Sequence, residues 1–217
     1  MPHKIASRLM GLFLLAFGTL PALAQQFSAD LVRLKPEGAA PSKVFVSGDR
    51  MRFEAGSGQH LSVIVADLKQ QTGYMMLPED KTYSMLQPGR ISPTMPFFQA
   101  ANPEDACAAW EKLVNKPGTC TKVGDETING RVTVKYKGTA QNGDTGSAWV
   151  DRKLRFVIKW EGEAGASELR NIQEGPQPVM LFEIPKGYQR MDARVSRQEL
   201  AKKKAKGSRA PAQKPQN

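Results

Sequence analysis

Two runs of alternating residues limit this chain to a β fold. Val132, Val134 and Tyr136 alternate with Arg131, Thr133, Lys135 and Lys137, and Leu154, Phe156, Ile158 and Trp160 alternate with Arg155, Lys159 and Glu161. Successive side chains of a strand point to opposite faces, so the pattern predicts strands with one dry and one wet face. Shorter runs repeat it. Phe27, Ala29 and Leu31 alternate with Ser28 and Asp30, and Val44 and Val46 lead through Gly48-Asp49 to Met51 and Phe53, a hairpin signature. Residues 61–68 read as a more fully apolar strand. Residues 74–77 and 83–86 flank the tight turn Pro78-Glu79-Asp80-Lys81, and Ile128 and Val132 flank Asn129-Gly130, the strongest two-residue hairpin signal in the chain. Asp151-Arg152-Lys153 is the turn between Trp149-Val150 and the strand from Leu154, and 168–173 and 179–184 read as the last two strands.

One segment departs from period two. Asn102-Pro103-Glu104-Asp105 is a helix start, with a capping amide, a proline at the first helical position and acids in the first turn. Ala106, Ala109, Trp110, Leu113 and Val114 follow at helical spacing, and Asn115 and Pro117-Gly118 end it. A sheet with one apolar face must bury that face, and the supply of other elements is small. The expected fold is therefore mainly β (α+β), a curved antiparallel half-barrel sheet wrapped around one or two helices. A closed β-sandwich shares the same alternation and remains the alternative.

The first 24 residues read as a signal peptide. Lys4 and Arg8 precede the apolar run 9–17, and Ala22-x-Ala24 supplies the small residues of a cleavage site before Gln25. The run is shorter than the roughly 20 residues that a membrane-spanning helix needs, and no later stretch is long enough. The expectation is a periplasmic protein with no transmembrane segment after cleavage. The domain division is 1–24 leader, 25–193 β domain and 194–217 basic disordered tail.

That division reinterprets the charge. The chain carries +10; without the leader it carries +8, of which +7 lies in 194–217 and +1 in 25–193. A nearly neutral body on a basic tail excludes a nucleic-acid-binding body, as export does too. The tail matches an anionic envelope surface, at about 1 kcal/mol per basic residue held near one. Cys107 and Cys120 are the only cysteines. In an oxidising compartment they are expected to pair, and closing that loop is worth about 3 kcal/mol by the chain-entropy model.

Several motifs together resemble the bacterial LolA-like superfamily, the periplasmic lipoprotein-carrier fold, and most of all its uncharacterised exported members. They are Phe27-Ser28-Ala29-Asp30 after the leader, the hairpin at 44–54, Ile128-Asn129-Gly130-Arg131, Ala148-Trp149-Val150-Asp151 followed by Leu154, and Phe182-Glu183-Ile184-Pro185-Lys186-Gly187-Tyr188. The resemblance implies an open half-barrel sheet with helices in its concave face, and an apolar cavity that holds acyl chains or senses envelope proteins. The basic tail is not part of the shared pattern, and no ligand-locking residue of the carriers maps onto a position here.

The residues offer little to an enzyme. His60 is the one histidine after the leader, Gly56-Ser57-Gly58 is not a nucleophile elbow or a phosphate cradle, and the ligands of a zinc site are missing. Glu79-Asp80, Glu104-Asp105 and Asp125-Glu126 read as turn or cap residues. No catalytic residue, cofactor or metal is expected. Apolar binding is the better prospect, because Met75, Met76, Met85 and Met95 cluster and thioethers line adaptable surfaces. Proline-rich 87–101, which carries Met95, Phe97 and Phe98, reads as a loop over a cavity mouth. The expected ligand-binding residues are Met75, Met85, Met95, Phe97, Phe98 and Trp110. The expected function is non-enzymatic binding of an acyl chain, lipid or lipoprotein on an apolar concave sheet face. The alternative is a structural or regulatory envelope protein that contacts another protein and has no cavity.

Overall fold

A computed structural model of the chain describes residues 25–37, 40–56, 58–86, 97–114, 118–141, 143–163 and 165–191. The leader, Met95 and the tail lie outside the described residues. The first meander is β1 (Gln26–Lys35), β2 (Ser42–Ser47), β3 (Arg50–Ala55), β4 (Ser62–Asp67), β5 (Thr72–Leu77) and β6 (Thr82–Met85). Helix α1 (Ala106–Val114) follows, and then a second meander: β7 (Gly118–Ile128), β8 (Arg131–Ala140), β9 (Thr145–Asp151), β10 (Phe156–Gly162) and β11 (Gly165–Glu174). Because β11 pairs antiparallel with β1, the meanders join into one open sheet of order β12-β6-β5-β4-β3-β2-β1-β11-β10-β9-β8-β7, where β12 is Gln189–Arg190. The half-barrel is the architecture found, and the sandwich is not.

The hairpins form where their turn residues require. Asn129 and Gly130 both have positive φ, 50° and 76°, as a two-residue turn matched to strand twist demands. Asn102 caps the helical segment, accepting from the Glu104 N–H at 3.0 Å. The inner face of the sheet carries the main core: Phe27, Ala29, Val44, Val46 and Met51 from one meander meet Val134, Tyr136, Val150 and Ile158 from the other. Phe97, Phe98, Ala100 and Ala106 fill the space between them. Phe27 and Phe156 meet edge to face, with centroids 5.3 Å apart.

A split in the sheet holds that filling in place. β10 and β11 pair only between 159–162 and 165–168 and then part. The vacated edge of β10 is taken by the segment before the helix, where the Val157 N–H donates to Phe98 O at 3.0 Å and the Ala100 N–H to Arg155 O at 2.8 Å. Backbone groups buried there are satisfied without a further strand. The disulfide expected between Cys107 and Cys120 is present, with Cα atoms 5.5 Å apart, and ties α1 to the edge strand β7.

Three expectations need correction. Residues 179–184 are not a strand: Val179–Phe182 is a 3-10 turn, because Pro178 and Pro185 cannot donate to a ladder and the Leu181 N–H bonds back to Pro178 O. Leu154 lies in the turn before β10, although it is buried. Val132, expected on the dry face, is 53% exposed at the hairpin end.

From β11 the chain crosses the outer face of the first meander. Phe182 is buried against Val63, Val65 and Met76, with Phe45, Leu61, Tyr74, Leu181 and Tyr188 packed around. This explains why 63–66 is apolar throughout: β4 is covered by the strap on its outer face and carries Ile64 and Ala66 on its inner one. Burial under the strap raises the Tyr74 phenol above its ordinary value, helped by the Glu183 carboxylate and opposed by Arg52 and Arg50. The neutral phenol is favoured in the fold, so its contribution to stability holds below about pH 10 and fades as pH rises through the higher folded value. Phe182→Ala is expected to cost about 3 kcal/mol. It should also return Tyr74 toward about 10, read as the near-ultraviolet absorbance titration that Tyr74→Phe removes. An unchanged midpoint would show that the strap does not bury this phenol.

Candidate binding face

Strand register lays out one transverse row on the inner face. Ala29 opposes Val44, Val44 opposes Phe53, Phe53 opposes Ile64, Ile64 opposes Met75 and Met75 opposes Ser84. Ala29, Val44 and Ser84 are buried, whereas Phe53, Ile64 and Met75 are half-buried. Among the described residues the main core reaches Phe53 and goes no further along the row. Phe53, Ile64 and Met75 thus form an apolar strip on the same face as α1, beyond the zone filled by Phe97 and Phe98.

The expected ligand-binding residues fall in different places. Met75 lies on the strip. Met85 does not: it opposes Tyr74, on the outer face, and is 39% exposed. Phe97 and Phe98 are core residues, 3% and 7% exposed, rather than part of an open mouth. Trp110 is half-buried against the core, its ring so close over Gly118 that a Cβ there would come within 2.9 Å of it. Phe53 and Ile64 were not singled out from sequence. Their signal was the alternation of β3 and the apolar run of β4, which names a face only once cross-strand register is known.

The outer face of the second meander is polar and closely paired. Trp149 is only 2% exposed because the Lys135 and Lys159 ammoniums lie 4.8 and 4.5 Å from its ring centroid. Its indole N–H donates to Glu126 Oε2 at 2.6 Å, and Lys135 reaches Glu126 Oε1 at 2.7 Å. Those bonds, Lys135 first, hold the Glu126 carboxyl below its ordinary value. Asp151 is 1% exposed and accepts from the Arg131 guanidinium and from the N–H groups of Lys153 and Leu154. The Asn-Gly-Arg and Trp-Val-Asp motifs are therefore two halves of one structural clasp. Asp125 and Glu126 sit in a strand rather than a turn, and Asp125 pairs with Arg152 at 2.6 Å. Arg152 and Lys122 both pair with Glu104 at the helix start.

A shallow polar cleft of about 270 Å³ lies at the ends of β8–β10, lined by Lys137, Thr145, Gly146, Ser147, Glu161, Gly162 and Glu163. It is smaller than the usual small-ligand site. Among the described residues no three His, Cys, Asp or Glu side chains converge as a metal site. No helix among them is long and apolar enough to cross a membrane.

Similar solved structures include an uncharacterised conserved protein from Thermus thermophilus, with a TM-score of 0.51 and 11% identity over 78% of this chain and 91% of that one. They include PNGF-II, with a TM-score of 0.50 and 12% identity over 82% of this chain. This chain spans only 33% of PNGF-II. They also include the LolA superfamily protein NE2245 from Nitrosomonas europaea, with a TM-score of 0.32 and 10% identity over 76% of this chain and 91% of that one. At these identities the likeness to the first two is one of fold alone. No protein-family model and no curated protein sequence matches the chain.

Proposed function

We propose that the chain is a non-enzymatic binding protein of the periplasm that takes an acyl chain, of a lipid or lipoprotein, against the inner face of its sheet. The supporting observation is the strip of Phe53, Ile64 and Met75, apolar and half-buried beyond the packed core on the helix-bearing face. Aliphatic, aromatic and thioether groups in one row offer dispersion contacts to a flexible chain and no polar group to orient a reaction. The Cys107–Cys120 disulfide fits an oxidising compartment.

A second reading is contact with another protein through the sheet. It draws on Phe97, Phe98 and Ala106, which fill the inner face between the meanders and leave less room for a ligand.

Titration with a fluorescent polyene fatty acid separates the two. The first reading expects saturable binding that Ile64→Thr and Met75→Glu each weaken roughly tenfold, since about 1.4 kcal/mol of apolar contact is one decade. Val132→Asp, at an exposed site elsewhere, should leave it unchanged. Absence of saturable binding, or equal binding by all three variants, would favour the protein-contact reading.

A further inference from the structure

The sheet is guarded at one end and open at the other. Its first edge, β12, is only 2 residues long. Its other edge is β7, 11 residues without a proline, and among the described residues no strand pairs with its outer side. A long unpaired edge is a template for a further strand, and folds ordinarily shorten, bend or charge such an edge. In the middle of β7 stands Val123, 57% exposed. It is the extra residue of a β-bulge: Lys122 opposes Tyr136 and Gly124 opposes Lys135, so Val123 has no opposite number on β8.

That bulge resets the alternation of β7. Lys122 shares the inner face with Tyr136, and Asp125, beyond the bulge, shares the same face with Val134. The two residues are also the ends of a chain of ion pairs. Lys122 pairs with Glu104, Glu104 with Arg152, and Arg152 with Asp125 at 2.6 Å. Both ends are exposed and lie on the open edge strand. A charge chain with unlike ends is complementary to a copy of itself.

We propose that two copies of the chain join edge to edge through β7, antiparallel, about a two-fold axis perpendicular to the sheet between Val123 and Gly124. Such an axis keeps both inner faces on one side of the joined sheet. It sets Lys122 against Asp125 of the second copy, and reciprocally, with Thr121 opposite Glu126 of the second copy on the outer face. Without the bulge this register would place each of these pairs on opposite faces. The two ion-pair chains close into one ring of alternating charge, and the two Val123 residues come together at the axis. Main-chain hydrogen bonds on either side of the bulges supply affinity, and the charges fix the register. The strip of Phe53, Ile64 and Met75 belongs to β3–β5, across the sheet from β7, so this pairing and the ligand reading can fail independently.

The test is sedimentation velocity of the chain from Gln25 to Asn217, between about 1 and about 100 μM. The parent should pass from monomer to dimer in that range, and the dimer should weaken with salt. Val123→Asp should weaken pairing at least roughly tenfold, with unchanged melting because the side chain is exposed. Met180→Asp, at an exposed apolar site elsewhere, should leave it unaltered. Lys122→Glu and Asp125→Lys each set like charges opposite one another, and each should weaken pairing roughly tenfold. Mixed in equal amounts, the two variants should associate as the parent does, because each offers the charge that the other lacks. Loss of ion pairs within one copy would give no such rescue. A parent that stays monomeric at about 100 μM overturns the proposal and leaves the edge to an extended segment of a different protein. So does a dimer that forms equally well in Val123→Asp, or a mixture that associates no better than either charge variant alone.

Discussion

Asp151→Ala is expected to destabilise the fold by on the order of 4 kcal/mol. Asp151 is almost completely buried, and its carboxylate serves three donors at once: the Arg131 guanidinium and the N–H groups of Lys153 and Leu154, the last at 2.6 Å. Removing one partner of a buried ion pair leaves the other charge uncompensated, typically at 3–5 kcal/mol. The loss is moderated here because Arg131 keeps Glu174 at 2.9 Å. Unpaired backbone donors in the β9–β10 turn add to it, since each buried unsatisfied group costs about 1–3 kcal/mol and such losses are not additive. Asp151→Asn keeps an acceptor for the turn but gives up the charge, and is expected to lose roughly half as much. Thermal melting checks both. At about 2–4 °C per kcal/mol for a domain of this size, the alanine variant should melt roughly 8–16 °C lower. A shift below about 2 °C would mean that the clasp between the two hairpins contributes little.

Reduction of Cys107–Cys120, or replacement of both by serine, is expected to cost about 3 kcal/mol. The two residues are separated by 13 in sequence, so the crosslink restricts a loop of moderate length in the unfolded chain. The native consequence is local. α1 meets β7 through the disulfide and through Trp110 over Gly118, and these contacts close the inner face at the β7 edge. Urea unfolding with and without reductant should give separated midpoints, and amide exchange should accelerate first in α1 and β7. Coincident transitions would show that tertiary packing alone holds the helix.

The strands were legible in sequence wherever a turn residue announced them. Gly48-Asp49, Pro78–Lys81 and Asn129-Gly130 each sit between paired strands, since local backbone preferences decide those turns. The strap was misread because Val-Met-Leu-Phe is apolar in any conformation, and four residues are too few for a period to declare itself. Pro178 and Pro185 were the available warning. Phe97 and Phe98 read as loop aromatics because their pairing with β10 is long-range and leaves no local pattern. The binding strip was half legible: Met75 carried a compositional signal, whereas Phe53 and Ile64 join it only through register. Met85 shows the converse, since nearness in sequence to Met75 placed it on the wrong face.

The inner-face binding reading meets its most direct test in native mass spectrometry of the protein purified from the periplasm, followed by lipid extraction. A co-purifying species that bears an acyl chain is expected, with reduced occupancy in Ile64→Thr and Met75→Glu. An unliganded parent, under conditions where a known lipoprotein carrier retains its lipid, would contradict it.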